Sequence, residues 1–130
     1  MYAVGTSAEV QAWHVMPGMA GPEGQLHTHD YRLELVVEST QLRGKGWVCD
    51  LDLLDSALSD VVRRVADKDL EAIRPDDADA VTVEVFARWL HDELSDAVRD
   101  AGGEVLDVRV WESPVAFGGY RAPVSGSLAG

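Results

Sequence analysis

The stretch Gly24–Val37, GQLHTHDYRLELVV, alternates with a period of two, the mark of a β-strand. Tyr31, Leu33, Leu35 and Val37 share the parity of His27 and His29, while Thr28, Asp30, Arg32 and Glu34 share the other. Side chains two apart project from the same face of a strand. Both imidazoles therefore belong on the apolar, covered side, about 7 Å apart along the chain. Rings at that spacing can converge on one ion if they tilt together. Two surface imidazoles at a loop end would give the same pattern, and the pair alone does not decide.

Working outward, Ala8, Val10, Ala12 and His14 alternate with Glu9, Gln11 and Trp13, so a preceding strand also closes on a histidine of its less polar face. The Gly/Pro-rich MPGMAGPEG, Met16 to Gly24, is the loop between the two. Beyond the polar loop STQLRGKG, a short strand, WVCDL, is expected from Trp47. Leu51, Leu54, Leu58, Val61, Val62 and Val65 then form one helical stripe, and RPDDADA from Arg74 breaks it. Thr82 reads as the N-cap of a second helix, with Glu84 in its first turn. Phe86, Leu90, Leu94 and Ala97 make its buried face, and Gly102-Gly103 stops it. A last strand, EVLDVRVWES, sets Leu106, Val108, Val110 and Glu112 on one parity.

Strands at both ends with helices between them predict an α+β domain: a four-stranded antiparallel sheet with two helices on one face. The other face, carrying Arg32, Glu34, Arg109 and Trp111, is only partly polar. Open edges on such a sheet invite association with further copies. The domain is expected to occupy residues 1–120, with 121–130 a flexible C-terminal tail.

With 130 residues, 46% hydrophobic and 26% charged, the chain can bury a core without covalent staples. Its net charge of −12 opposes binding to nucleic acid phosphates or to an anionic membrane surface. A single cysteine, Cys49, rules out an intrachain disulfide and is expected to be a buried structural thiol. The N-terminal MYAVGTSAEVQAW lacks the basic and apolar regions of a secretion signal, and no segment is apolar for long enough to span a bilayer. A cytoplasmic location is expected.

Zinc in a catalytic site commonly takes three protein ligands and keeps one position open. His14, His27 and His29, near strand ends around one loop, are the candidate set, at roughly 2.0–2.1 Å from the metal. The segments VQAWH, LHTHDY, GWVCDLDLL, VTVEVFARWL and VWESPVAFGGY resemble, in order and spacing, the 6-pyruvoyl-tetrahydropterin synthase family, which includes 6-carboxy-tetrahydropterin synthase. The family pattern runs FxAAH, LHGHNY, a Gly-led stretch ending in Asp-Phe, PTxExLAxWL, and an ET pair followed by a tyrosine. The resemblance covers Val10 to about Tyr120. It implies a tunnelling fold, with subunit sheets joined into a barrel, in a homohexamer made of two trimers. It implies zinc on the three histidines and a pterin pocket at subunit interfaces. Glu112 matches the glutamate that grips the pterin, and Thr82 matches a threonine pterin contact, although a plain N-cap role is open to it as well.

The departures fall on the proton-transfer residues. The family's cysteine, four residues before the first histidine of LHGH, is replaced by Glu23. Its Asp-His pair after the first helix falls on Ala66-Asp67, or on Asp67-Lys68 with a shift of one, so the histidine is missing either way. His91, among Asp92 and Glu93, is expected on the solvated surface. Family branches with glutamate for the cysteine are associated with cleaving the pterin side chain, and Glu23 resembles that variant. A carboxylate can act as base if desolvation raises its pKa. The expected function is a zinc-dependent lyase on a dihydropterin, 7,8-dihydroneopterin triphosphate or a relative, with Glu23 and Asp67 as catalytic candidates. The alternative is a non-catalytic protein that holds zinc and pterin. A cupin is a third reading, since His27, His29 and Glu34 fit His-x-His-x-x-x-x-Glu. Gln41 stands where that motif wants glycine, and its second motif has no counterpart.

Overall fold

The computed structural model describes residues 1–124. The chain order is β1 (Tyr2–His14), β2 (His27–Ser39), α1 (Leu51–Val65), α2 (Val83–Ala101), β3 (Val105–Trp111) and β4 (Phe117–Pro123). Short 3₁₀ turns occupy Gly21–Gly24 and Leu70–Ile73. The four strands form one antiparallel sheet in sequential order. Helix α1 packs over β1, and α2 over β3 and β4, so both helices cover one face as the sequence predicts.

Strand alternation supplies one side of the core. Leu33, Leu35 and Val37 of β2 and Leu106, Val108 and Val110 of β3 are fully buried. Leu54, Leu58, Val61 and Val65 of α1 and Phe86, Leu90, Leu94 and Val98 of α2 close over them. Val98 takes the place expected of Ala97, and Leu51 stays exposed at the start of its helix. Asp50 caps α1, accepting from the Asp52 amide at 2.9 Å. Thr82 caps α2, accepting from the Val85 amide at 3.1 Å. Gly102 ends α2 with φ 110°, a left-handed conformation that glycine adopts without strain.

The fourth strand is not the WVCDL segment. Arg43 and Trp47 close a tight turn, the Asp50 cap starts α1 almost at once, and Val48 and Cys49 drop into the core between them. The fourth strand is β4, which also takes in Arg121–Pro123, residues expected in the tail; Val124 is buried, and positions 125–130 lie outside the described residues. Gly118 and Gly119 hide this strand from a periodicity reading, because they carry no side chain to alternate. Their role is close approach: a Cβ at Gly118 would stand 2.5 Å from Cγ2 of Val83.

β4 also corrects the placement of His91. The ring is only 4% exposed, its Nε2 lies 3.0 Å from the Ala122 carbonyl, and Tyr120 meets it edge-on at 5.0 Å. Charged neighbours in sequence suggested a surface position, but β4 covers this side of α2. Helix α1 likewise ends at Val65, well before Arg74, and the chain returns through the Leu70–Ile73 turn.

Gly118→Ala forces Val83 or β4 to move, and overpacking of this kind costs about 1–3 kcal/mol. Urea unfolding should show a loss in that range, whereas no loss would mean that β4 does not pack this tightly on α2.

Candidate metal centre

The β1–β2 ladder sets His14 directly opposite His27 and Ala12 opposite His29. All three histidines point to the helix-covered face at the end of the sheet where the ladder stops. One ligand atom from each gathers within 4.8 Å of the others. Ring centroids are 5.5 Å apart for His14–His27, 6.1 Å for His14–His29 and 4.6 Å for His27–His29. The imidazoles face a common point.

Hydrogen bonding fixes how each ring can serve. His27 Nδ1 stands 2.7 Å from the Gln25 carbonyl, which can only accept, so Nδ1 carries the proton and donates it. Its Nε2 then presents a lone pair, 2.8 Å from His29 Nε2. A ligating histidine characteristically donates its other N–H to a backbone carbonyl, which fixes tautomer and ring orientation. His14 is only 8% exposed, and both of its ring nitrogens are buried with no hydrogen-bond partner. The Val81 backbone lies close enough to bias the ring without reaching hydrogen-bond geometry. Burial first, then the neighbouring His27 and His29, lowers the pKa of His14. It is held neutral, the form that binds metal. Donors on one tetrahedral ion stand roughly 3.3 Å apart for bonds near 2.05 Å. The triad fits a single ion with small ring rotations.

Two clefts reach the triad from different sides. One, of about 820 Å³, is lined by His29, Tyr31, Gln11, Trp111, Glu112 and neighbours. The other, of about 420 Å³, is lined by His14, Asp69, Glu71, Arg74, Asp79 and Val81. Glu23, in the Gly21–Gly24 turn, brings Oε2 to 3.7 Å from His27 Nε2. Glu112 does not face inward with Leu106, Val108 and Val110. β3 stops at Trp111, the Glu112 amide turns back to the Ala116 carbonyl at 3.1 Å, and the carboxylate is exposed on the rim of the larger cleft. Thr82 spends its side-chain oxygen on the α2 cap and lines neither cleft. Asp67 is exposed at a left-handed turn with φ 58°, its amide bonded to the Gln11 carbonyl, and it too lines neither cleft.

Two residues that the sequence did not single out do line the clefts. Asp69 stands in the smaller cleft with His14, two positions beyond Asp67. Tyr31 sits between His29 and Phe86, and its hydroxyl pKa is raised by burial, then by Glu112 and Glu23. Its parity with the two histidines was the available signal.

An antiparallel sheet backed by two helices, with three histidines gathered at one end, defines a class of potential metal-binding α+β proteins. Within that class, the sequence pattern that defines 6-pyruvoyl tetrahydropterin synthase matches residues 4–123, and the chain belongs to this family. The fold agrees. A 6-pyruvoyl tetrahydropterin synthase from Plasmodium vivax superposes with a TM-score of 0.70 at 12% identity, over 95% of this chain and 100% of its own. The synthase of Caenorhabditis elegans gives 0.69 at 16%, over 93% and 95%. That of Plasmodium falciparum gives 0.67 at 13%, over 94% and 99%. The vivax enzyme is also known in forms whose catalytic glutamate is replaced by alanine or cysteine. No curated protein sequence matches the chain.

An orphaned buried nitrogen costs about 1–3 kcal/mol, so His14 is a burden to the metal-free protein. His14→Leu should leave metal-free stability unchanged or raise it by about 1 kcal/mol. It should also abolish any rise in Tm that added zinc gives the parent chain. A clear loss of metal-free stability in the variant would show that His14 serves packing instead.

Proposed function

We propose that this chain is a zinc-dependent lyase acting on the side chain of a dihydropterin, 7,8-dihydroneopterin triphosphate or a relative. The observation that carries this reading is the position of Glu23, whose carboxylate reaches the triad where the family's working enzymes place a cysteine. Zinc on His14, His27 and His29 would polarise a side-chain hydroxyl of the bound substrate. Glu23, beside His27, is the base for the adjacent proton. Glu112, on the rim of the larger cleft, accepts two parallel N–H bonds from the guanidine-like edge of the pterin. A volume of about 820 Å³ accommodates a ligand of that size. The catalytic glutamate of the vivax synthase is a precedent for the residue type.

Both edge strands, β1 and β4, leave backbone groups unpaired along most of their outer sides. Joining β1 of one copy to β4 of the next, three times over, closes a barrel, and two such trimers give the homohexamer we propose. Thr82, at the start of α2, becomes a pterin contact in that assembly. No helix among the described residues is long and apolar enough to cross a membrane. We place the protein in the cytoplasm.

The position of Asp67 favours a second reading. With this residue outside both clefts, Glu23 has no acidic relay partner among the described residues, as expected of a protein that holds zinc and pterin without turnover. Incubation of zinc-loaded protein with 7,8-dihydroneopterin triphosphate, followed by mass analysis, separates the two. A cleaved side chain supports the lyase, and tight binding without product supports the binding protein. In the first case, Glu23→Gln, kept saturated with zinc, should lower kcat by at least about a hundredfold. Glu112→Gln should weaken pterin binding roughly tenfold to a hundredfold, the worth of a charge-assisted bond.

A further inference from the structure

Glu23 stands closer to the triad than a base acting on a distant proton requires. Its Oε2 is 3.7 Å from His27 Nε2, against roughly 3.3 Å between two donors on one tetrahedral ion. A displacement of a few tenths of an ångström brings the carboxylate to ligand spacing from that histidine. The three imidazoles supply only neutral donors, so a divalent ion among them retains its full charge and attracts an anion.

The loop holds Glu23 by its backbone and leaves its side chain free. The Met16 amide donates to the Glu23 carbonyl at 2.9 Å, and the Gln25 amide to the Pro22 carbonyl at 3.1 Å. Gly24 packs so tightly that a Cβ there would fall 2.0 Å from the Met19 carbonyl oxygen. The side chain of Glu23 is nevertheless 54% exposed, and His27 is its one ion-pair partner among the described residues. A pinned backbone with an unrestrained carboxylate is suited to swing between two positions.

We propose that Glu23 is a displaceable fourth ligand, which closes the metal's open position until substrate arrives. The proposal rests on the metal reading of the triad. Substrate oxygen then replaces the carboxylate, and the displaced group is left beside the substrate side chain, where the proposed base must be. The empty site is thereby masked, and entry of substrate and release of the base become one event.

The test uses metal binding, not turnover. Zinc affinity is measured by chelator competition for the parent chain, Glu23→Gln and Glu23→Ala. Imidazole, a neutral ligand, is then titrated into the cobalt-loaded forms and followed in the visible spectrum. Both variants should bind zinc about tenfold to a hundredfold more weakly. Both should bind imidazole at least about tenfold more tightly, because nothing has to leave first. Weaker zinc binding with unchanged imidazole affinity overturns the proposal, since a nearby charge that is not a ligand gives that result. Unchanged zinc affinity also overturns it. If the parent chain takes up no stoichiometric zinc while His14→Ala behaves identically, the metal reading itself has failed.

Discussion

The pairing register of β1 with β2 is the constraint on which the site depends. The ladder runs without a bulge from Tyr2 opposite Ser39 to His14 opposite His27. A slip of one residue would turn every side chain of a strand to the other face. Such a slip would expose Leu33, Leu35 and Val37, each now fully buried, at about 1.5–3 kcal/mol apiece. The hydrophobic core of the sheet therefore aligns the histidines. The histidines need no loop to find their geometry, because two rigid strands deliver all three rings to the same end.

That arrangement explains why so much was legible in the sequence. Alternation around His27 and His29 gives the strand, its buried face and the side from which the rings project. The stripes from Leu51 to Val65 and from Phe86 to Ala97 give both helices, and the Thr82 cap sits where a hydroxyl before an apolar periodic run should be. Reading failed where the determining contact was remote. Gly118 and Gly119 show no period because neither carries a side chain, and at Gly118 α2 needs the space that one would fill. Missing β4 in turn misplaced His91, whose burial depends on a strand about thirty residues downstream. WVCDL has strand composition, yet the turn at Trp47 and the cap at Asp50 leave no length for pairing.

The site residues divide along the same line. Histidines on strands were placed correctly, because a strand fixes direction as well as position. Residues at element ends were not: Glu112 has the parity of Val110, but parity has no meaning once the chain has turned at Trp111. Asp67 has the family position, but its left-handed turn directs the following residues, Asp69 among them, into the smaller cleft. There the Asp69 carboxylate accepts from the Glu71 amide at 2.9 Å and caps the Leu70–Ile73 turn.

The exposure of Glu112 bears on what the proposed assembly contributes. In open water, a carboxylate exchanges one set of hydrogen bonds for another when it grips a ligand, and the net gain is only about 1–3 kcal/mol. The same contact strengthens as the local dielectric falls. On the uncovered sheet face beside Glu112, Trp111 packs tilted against Phe117 at 4.5 Å, Arg32 lies over the Trp111 ring at 4.7 Å, and Glu34 accepts from the indole N–H at 3.0 Å. This rigid, partly apolar surface stands next to a cleft that one chain leaves wet. A neighbouring copy across the sheet edge would exclude water from the rim of that cleft. In the proposed assembly pterin affinity and association would then be linked, and dissociation on dilution would weaken the contact proposed for Glu112 while leaving the histidine triad, built within one chain, intact.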